Sequence, residues 1–130
     1  MGTVIVTGAG TGIGAATARR LAAGGWKVAL VGRRAGLLDQ VAADIAQAGG
    51  RAVTMVLDLQ DPSAAKIIVE RTTQAFGEID ALVNNAAVIK VMPLADFTLD
   101  ILDQHWAVNI RAPFLLTQAV LGLLNCSADA

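Results

Sequence analysis

The chain has 130 residues, 55% hydrophobic and 16% charged, with a formal net charge of −1. That is long enough for one domain with a real core, while the absence of a basic stripe argues against a nucleic-acid partner. No apolar stretch reaches the roughly 18–20 residues of a membrane helix, and no basic residue before Arg19 marks a signal peptide.

In chain order, apolar strand candidates at residues 3–6, 27–31, 52–57 and 81–83 alternate with helical patterns over 13–23, 37–48 and 62–76. Gly24-Gly25, Gly49-Gly50 and Gly77 close the three helices. Asp61 before Pro62 predicts an N-cap acceptor followed by proline at the first helical position. Such alternation specifies right-handed βαβ units, hence an open parallel α/β sheet with helices on both faces. The high apolar content fits strands buried on both sides. After Asn84 the pattern changes to a loop over 88–97, a helix over 99–110 and another over 113–124. No internal repeat, low-complexity segment or interdomain linker interrupts residues 1–130, which read as one domain.

The most informative segment is Thr7 to Gly14, TGAGTGIG, between the first strand and first helix. Strand, glycine loop and helix in that order form a cradle for a nucleotide pyrophosphate. Missing Cβ atoms let the backbone approach the diphosphate. The helix N-terminus aims free N–H groups and about half a unit of positive charge at it. Gly8, Gly10, Gly12 and Gly14, on alternate positions, exceed what a tightly packed turn requires. The candidate cofactor-binding residues here are Gly8, Ala9, Gly10, Thr11, Gly12, Ile13 and Gly14. The loop also resembles that of S-adenosylmethionine methyltransferases. Those enzymes usually carry acids before the loop and after the second strand, where this chain has Thr7 and Gly32.

The spacing TGxxxGxG is followed by Asp58-Leu59 after the third strand and Asn84-Asn85-Ala86-Ala87 after the fourth. Trp106-Ala107-Val108-Asn109 comes later, in a helix. Over essentially its whole length the chain resembles the N-terminal half of a short-chain dehydrogenase/reductase. One departure is Ala87, where the family usually has glycine. The resemblance implies a Rossmann-like sheet of strand order 3-2-1-4, with the cofactor crevice between strands one and four. It also implies hydride exchange between a nicotinamide and a small carbonyl or secondary alcohol. By the same resemblance Asp58 hydrogen-bonds the adenine amino group, with the Leu59 backbone adjacent. Asn84 lines the cofactor ribose through its backbone, and Ala86 packs nearby. The local alternative makes Asp58 a strand-ending turn former, and Asn84 and Asn85 turn residues.

An NAD site of this type ends the second strand with a carboxylate that accepts from the ribose hydroxyls. Here the strand runs into Gly32-Arg33-Arg34. A guanidinium suits a phosphate through its charge and planar fork of donors. Arg33 is therefore expected to hold the 2′-phosphate of NADP with Arg34 assisting, and NAD is the alternative cofactor. The competing reading is a pair of solvated turn arginines, and Thr11 stands where many NADP-using relatives carry a basic residue.

Hydride transfer to a carbonyl leaves charge on oxygen, which needs a proton donor. The family uses a tyrosine four residues before a lysine, a serine that orients the substrate oxygen, and a helix asparagine supporting a proton-relay water. Only the asparagine has a match, Asn109. The chain contains no tyrosine, and Lys90 and Arg111 stand in no Tyr-x-x-x-Lys arrangement. Residues 122–127 faintly resemble the strand leading to the family's serine, which would be Ser127, against a default of a frayed helix end. Cys126, the one cysteine, has no recognisable activating base and forms no internal disulfide, which suits a reducing cytoplasm. His105, the one histidine, reads as a helix-surface residue, and no spacing suggests a metal site. The expectation is the NADP-binding part of an oxidoreductase, truncated before its Ser/Tyr/Lys segment and nearly inactive alone. The alternative is a noncatalytic nucleotide-binding isoform or fragment that pairs with another subunit. Pro113 to Leu116, Val120-Leu121 and Leu123-Leu124 offer an apolar surface for a homo-oligomer or, equally, for the chain's own core.

Overall fold

A computed structural model of the chain describes residues 1–124, so Cys126 and Ser127 lie outside the described residues. Strands β1 (Thr3–Thr7), β2 (Lys27–Gly32), β3 (Arg51–Val56) and β4 (Ala81–Val83) alternate with helices α1 (Gly12–Ala23), α2 (Ala35–Gln47) and α3 (Ala64–Phe76). A 3₁₀ turn (Leu94–Asp96) then leads to α4 (Leu99–Trp106), a π turn (Ala107–Arg111) and α5 (Ala112–Leu121). The sheet runs β3-β2-β1-β4, every pair parallel, with Ile5 beside both Ala29 and Leu82. This is the Rossmann-like order expected from the sequence.

Side chains alternate across a strand, and β1, in the middle of the sheet between β2 and β4, is buried at all five positions. Val4, Val6, Val28 and Leu30 face α1 and α2, meeting Ala15, Ala18, Leu38, Val41 and Ile45. Ile5, Ala29, Val31 and Met55 face the other layer, meeting Ile68 of α3 and Leu116 and Val120 of α5. Alanines on the buried side of α1 let that helix lie close to the sheet. Among the described residues no helix is long and apolar enough to cross a membrane.

Two elements depart from the sequence expectation. Helix α3 begins at Ala64, not Pro62. The Asp61 carboxylate accepts from the Ser63 N–H and Oγ, both at 2.8 Å, forming a tight turn around Pro62 before the helix starts. Those bonds, the Ser63 backbone N–H first, hold the Asp61 carboxyl below the usual carboxylate range. The second departure is larger: α4, the π turn and α5 follow one another without a break. Thr98 caps this rod by accepting from the Ile101 N–H at 3.3 Å. Pro113 lacks an N–H and its ring crowds the carbonyl four residues earlier. The π turn accommodates it, with the Ala112 N–H reaching back five residues to Ala107 O. Helix α5 stops at Leu121 instead of continuing to Leu124. Leu124 already forms a parallel bridge with Ile79, at the entry to β4.

Candidate functional site

Strands β1 and β4 both end beside the first glycine loop, where the chain connections diverge to opposite sides of β1. Open parallel sheets bind ligands at this point. A cleft of about 280 Å³ lies there, lined by Gly8, Gly10, Thr11, residues 32–34, Leu37, Leu38, residues 57–59, residues 85–88 and Val108. Gly8 and Gly12 adopt left-handed conformations, φ 64° and 51°, which favour glycine. Gly14 is buried at the start of α1, where a Cβ would strike the Gly8 carbonyl. Thr11 is extended and its side chain does not cap α1. The first-turn N–H groups of that helix are therefore available to an anion.

Asn85 fastens the loop to the sheet. Its Nδ2 donates to Thr7 O at 3.1 Å and Gly8 O at 3.3 Å. Thr7 Oγ1 accepts from the N–H groups of Asn85 and Ala86 at 3.1 and 3.0 Å. Neither Asn85 nor Thr7 was singled out as a site residue from the sequence. The available signal was Thr7 itself, a polar residue closing an apolar strand and 1% exposed. Asn85→Ala strips donors from two loop carbonyls. Urea denaturation is expected to show a loss of about 1–3 kcal/mol.

The remaining sequence candidates divide. Gly8, Gly10, Thr11, Arg33, Arg34, Asp58, Leu59 and Ala86 share the cleft. Ala9 does not: it is fully buried, and its N–H is spent on Val31 O at 3.1 Å. Gly12 and Ile13 are exposed and lie outside the cleft lining, while Gly14 acts by packing beneath Gly8. Asn84 is exposed and also outside the lining. Its Nδ2 turns to Thr117 Oγ1 on α5 at 3.2 Å. Asp58 fits both of its readings, since it lines the cleft while its Oδ1 accepts from the Gln60 N–H at 2.9 Å. Arg33 and Arg34 are exposed at the cleft, and no acidic residue stands between them and the end of β2.

Asn109 comes from the π turn and forms a reciprocal pair with Val88. Its Oδ1 accepts from the Val88 N–H and its Nδ2 donates to Val88 O, both at 2.8 Å. The side chain thus fixes the loop after β4 against the helix. His105 sits half-buried on α4 and, beyond its expected place on that helix, contacts a loop. Its Nδ1 lies 2.7 Å from Ile101 O, and Nε2 accepts from the Lys90 N–H at 3.1 Å. These partners assign the neutral tautomer with the proton on Nδ1. Phe97 packs against the ring in a tilted arrangement, 5.7 Å between centroids, so His105 is a tether for the 88–97 loop. Among the described residues no group of three or more His, Cys, Asp or Glu could hold a metal ion.

Comparison with known proteins agrees with this geometry. The family model of short chain dehydrogenases matches residues 2–129. A short chain dehydrogenase of Pseudocercospora fijiensis is 41% identical, over 92% of this chain and 39% of that protein. Sulfoacetaldehyde reductase 2 of Chromohalobacter salexigens is 37% identical, over 93% of this chain and 48% of that protein. A crystal structure of a short chain dehydrogenase from Burkholderia cenocepacia, in complex with NADP, gives a TM-score of 0.90 at 41% identity. That similarity covers 94% of this chain and 50% of the Burkholderia chain. The chain therefore spans about half, or less, of the length of these relatives. With nearly every residue matched, and with an anion cradle at the turn where the family's motif falls, the chain belongs to the short-chain dehydrogenase family.

Proposed function

We propose that residues 1–130 form the dinucleotide-binding domain of an NADP(H)-preferring oxidoreductase, one that exchanges hydride between nicotinamide and a small carbonyl or secondary alcohol. The observation that carries this is the cleft itself. An uncapped helix N-terminus borders one part of it, and Arg33 and Arg34 border another, beside a β2 end that lacks a carboxylate. The turn offers a diphosphate its cleft-lining Gly8, Gly10 and Thr11 beside the α1 N-terminus. The missing Cβ atoms of Gly8 and Gly14 serve the packing of that turn, their space being taken by Asn85, Ala86 and the Gly8 carbonyl. In this assignment Gly8, Gly10 and Thr11 contact the diphosphate, with Gly12 and Ile13 presenting helix N–H groups. Arg33 holds the 2′-phosphate with Arg34 beside it. Asp58 and Leu59 flank the adenine, and Asn84 lines the ribose through its backbone with Ala86 packing nearby. The Burkholderia relative's complex with NADP supports the choice of cofactor.

When bound, the nicotinamide supplies or accepts the hydride. The chain's own residues bind and orient it. Asn109 spends both side-chain groups on Val88, so any part it plays in a proton relay falls to its backbone carbonyl. In α spacing that carbonyl would accept from residue 113, a proline with no N–H. No tyrosine occurs in the 130 residues, so the family's proton donor is not among them. Calorimetric titration is expected to show NADPH binding tighter than NADH. Mixing the chain with NADPH and a panel of ketones and aldehydes is expected to give little or no oxidation. Rapid turnover would place an unrecognised proton donor within this chain, and absence of NADPH binding would overturn the assignment.

A second reading, a noncatalytic nucleotide-binding chain that pairs with another subunit, is favoured by one surface. Leu102, Trp106, Ile110 and Phe114 follow one another every four residues and are all more than half exposed. The apolar C-terminal segment is thus divided, since Leu116 and Val120 are core while Phe114 and Leu121 remain outside. We place the protein in the cytoplasm, consistent with its single cysteine.

A further inference from the structure

We infer that Arg111 is a positioning residue for nucleotide binding: from the π turn it holds the β3–α3 loop, and with it Asp58, in register with the cleft. The inference rests on the cofactor site proposed above. Residues 58–63 are shaped mainly by short-range turns. The N–H groups of Gln60 and Asp61 return to Asp58, at 2.9 Å to Oδ1 and 3.1 Å to O. The Ser63 N–H and Oγ return to Asp61 at 2.8 Å. Such bonds set the loop's shape but not its place. Its place is fixed at the near end by the Leu57 N–H on Gly32 O at 2.9 Å, and by Leu59 packing against the core. Further along, Arg111 Nη2 donates to Gln60 O, a contact spanning 51 residues of sequence.

The pose of Arg111 is a poor device for stability alone. Its Nε is buried without a hydrogen-bond partner among the described residues, and a buried unpaired donor is costly. A side chain of similar length and no donors would avoid that cost while filling the same space. What such a residue would lose is the hold on that loop: the hydrogen bond to Gln60 O and the attraction of the guanidinium for the Asp61 carboxylate. The same π turn carries Asn109, which holds Val88. Residues two apart point to opposite sides of a helix. One short segment of helix therefore grips two loops that both line the cleft, one through Asp58 and Leu59 and the other through Val88.

The test compares Arg111→Met and Arg111→Lys with the unaltered 130-residue chain. Hydrogen exchange without ligand is expected to quicken about tenfold in residues 58–63 of Arg111→Met, and to stay unchanged in β1 and β2. Affinity for NADPH and for 2′,5′-ADP, its adenine half, should fall together by about tenfold. Arg111→Lys keeps a cationic donor and should recover part of both effects. Unchanged exchange in 58–63, or exchange raised throughout the chain, overturns the positioning role. So does a loosened loop with undiminished NADPH affinity, or an NADPH loss that 2′,5′-ADP does not share. If the unaltered chain binds no NADPH, the cofactor assignment falls and the ligand-free exchange alone decides whether Arg111 sets the loop.

Discussion

Gly14→Ala is expected to remove about 3 kcal/mol or more of stability, because one methyl has nowhere to go. Its Cβ would sit 2.8 Å from the Gly8 carbonyl carbon and 2.5 Å from Asn85 Nδ2, and closer still to the Gly8 oxygen. Relief requires moving a backbone carbonyl that Asn85 holds at 3.3 Å, in a glycine already at φ 64°. Alanine's better helix propensity returns only about 1 kcal/mol. A marginally stable domain has roughly 5–15 kcal/mol in total, so the thermal midpoint should fall by more than about 10 °C. Neighbouring glycines give the controls. Gly12→Ala meets no atom within 4 Å but must adopt φ 51°, which costs about 1–2 kcal/mol. Gly36→Ala has open space and no positive φ, and should be neutral or slightly stabilising. A Gly14→Ala protein that melts with the unaltered chain would show that α1 does not approach β1 as closely as described.

Gly14 also illustrates what the sequence discloses. The four strands, their parallel direction and the glycine turn were legible because they depend on local pattern: continuous Val/Ile runs, helix-closing glycines and TGAGTGIG. The strand order came from the family resemblance. Long-range partners were not. Nothing near Asn109 indicates Val88, 21 residues away, and nothing near Arg111 indicates Gln60. The choice between Asn84 and Asn85 was equally hidden, because adjacent residues at a strand end point to opposite sides and only the finished sheet shows which side holds the cleft. Pro113 misled for a different reason. Proline normally ends a helix, and a π turn that accommodates it leaves no compositional mark. The stripe Leu102, Trp106, Ile110 and Phe114 runs through that position with unbroken spacing, and was the one clue that the rod continues.

Arg33→Asp is expected to reverse the cofactor preference without touching the fold. Charge-assisted hydrogen bonds to a phosphate contribute about 1.5–3 kcal/mol, so losing them weakens NADPH binding by about 10- to 100-fold. A carboxylate in their place adds repulsion against the 2′-phosphate, taking the expected loss beyond about 100-fold. The same carboxylate offers the ribose hydroxyls of NADH an acceptor, so NADH affinity should hold or rise. Arg34→Ala, removing the assisting charge, should cost NADPH only several-fold. Because the contact is exposed, added salt should weaken NADPH binding to the unaltered chain while screening the repulsion in the variant, so that the gap between the two narrows. Arg33 is an exposed residue at the end of β2, so its replacement opens no cavity in the core. The melting temperature should therefore stay within about 1–2 °C, in contrast to Gly14→Ala. If titration instead gives the variant and the unaltered chain equal NADPH affinities, Arg33 is a solvated turn residue and the phosphate is bound elsewhere.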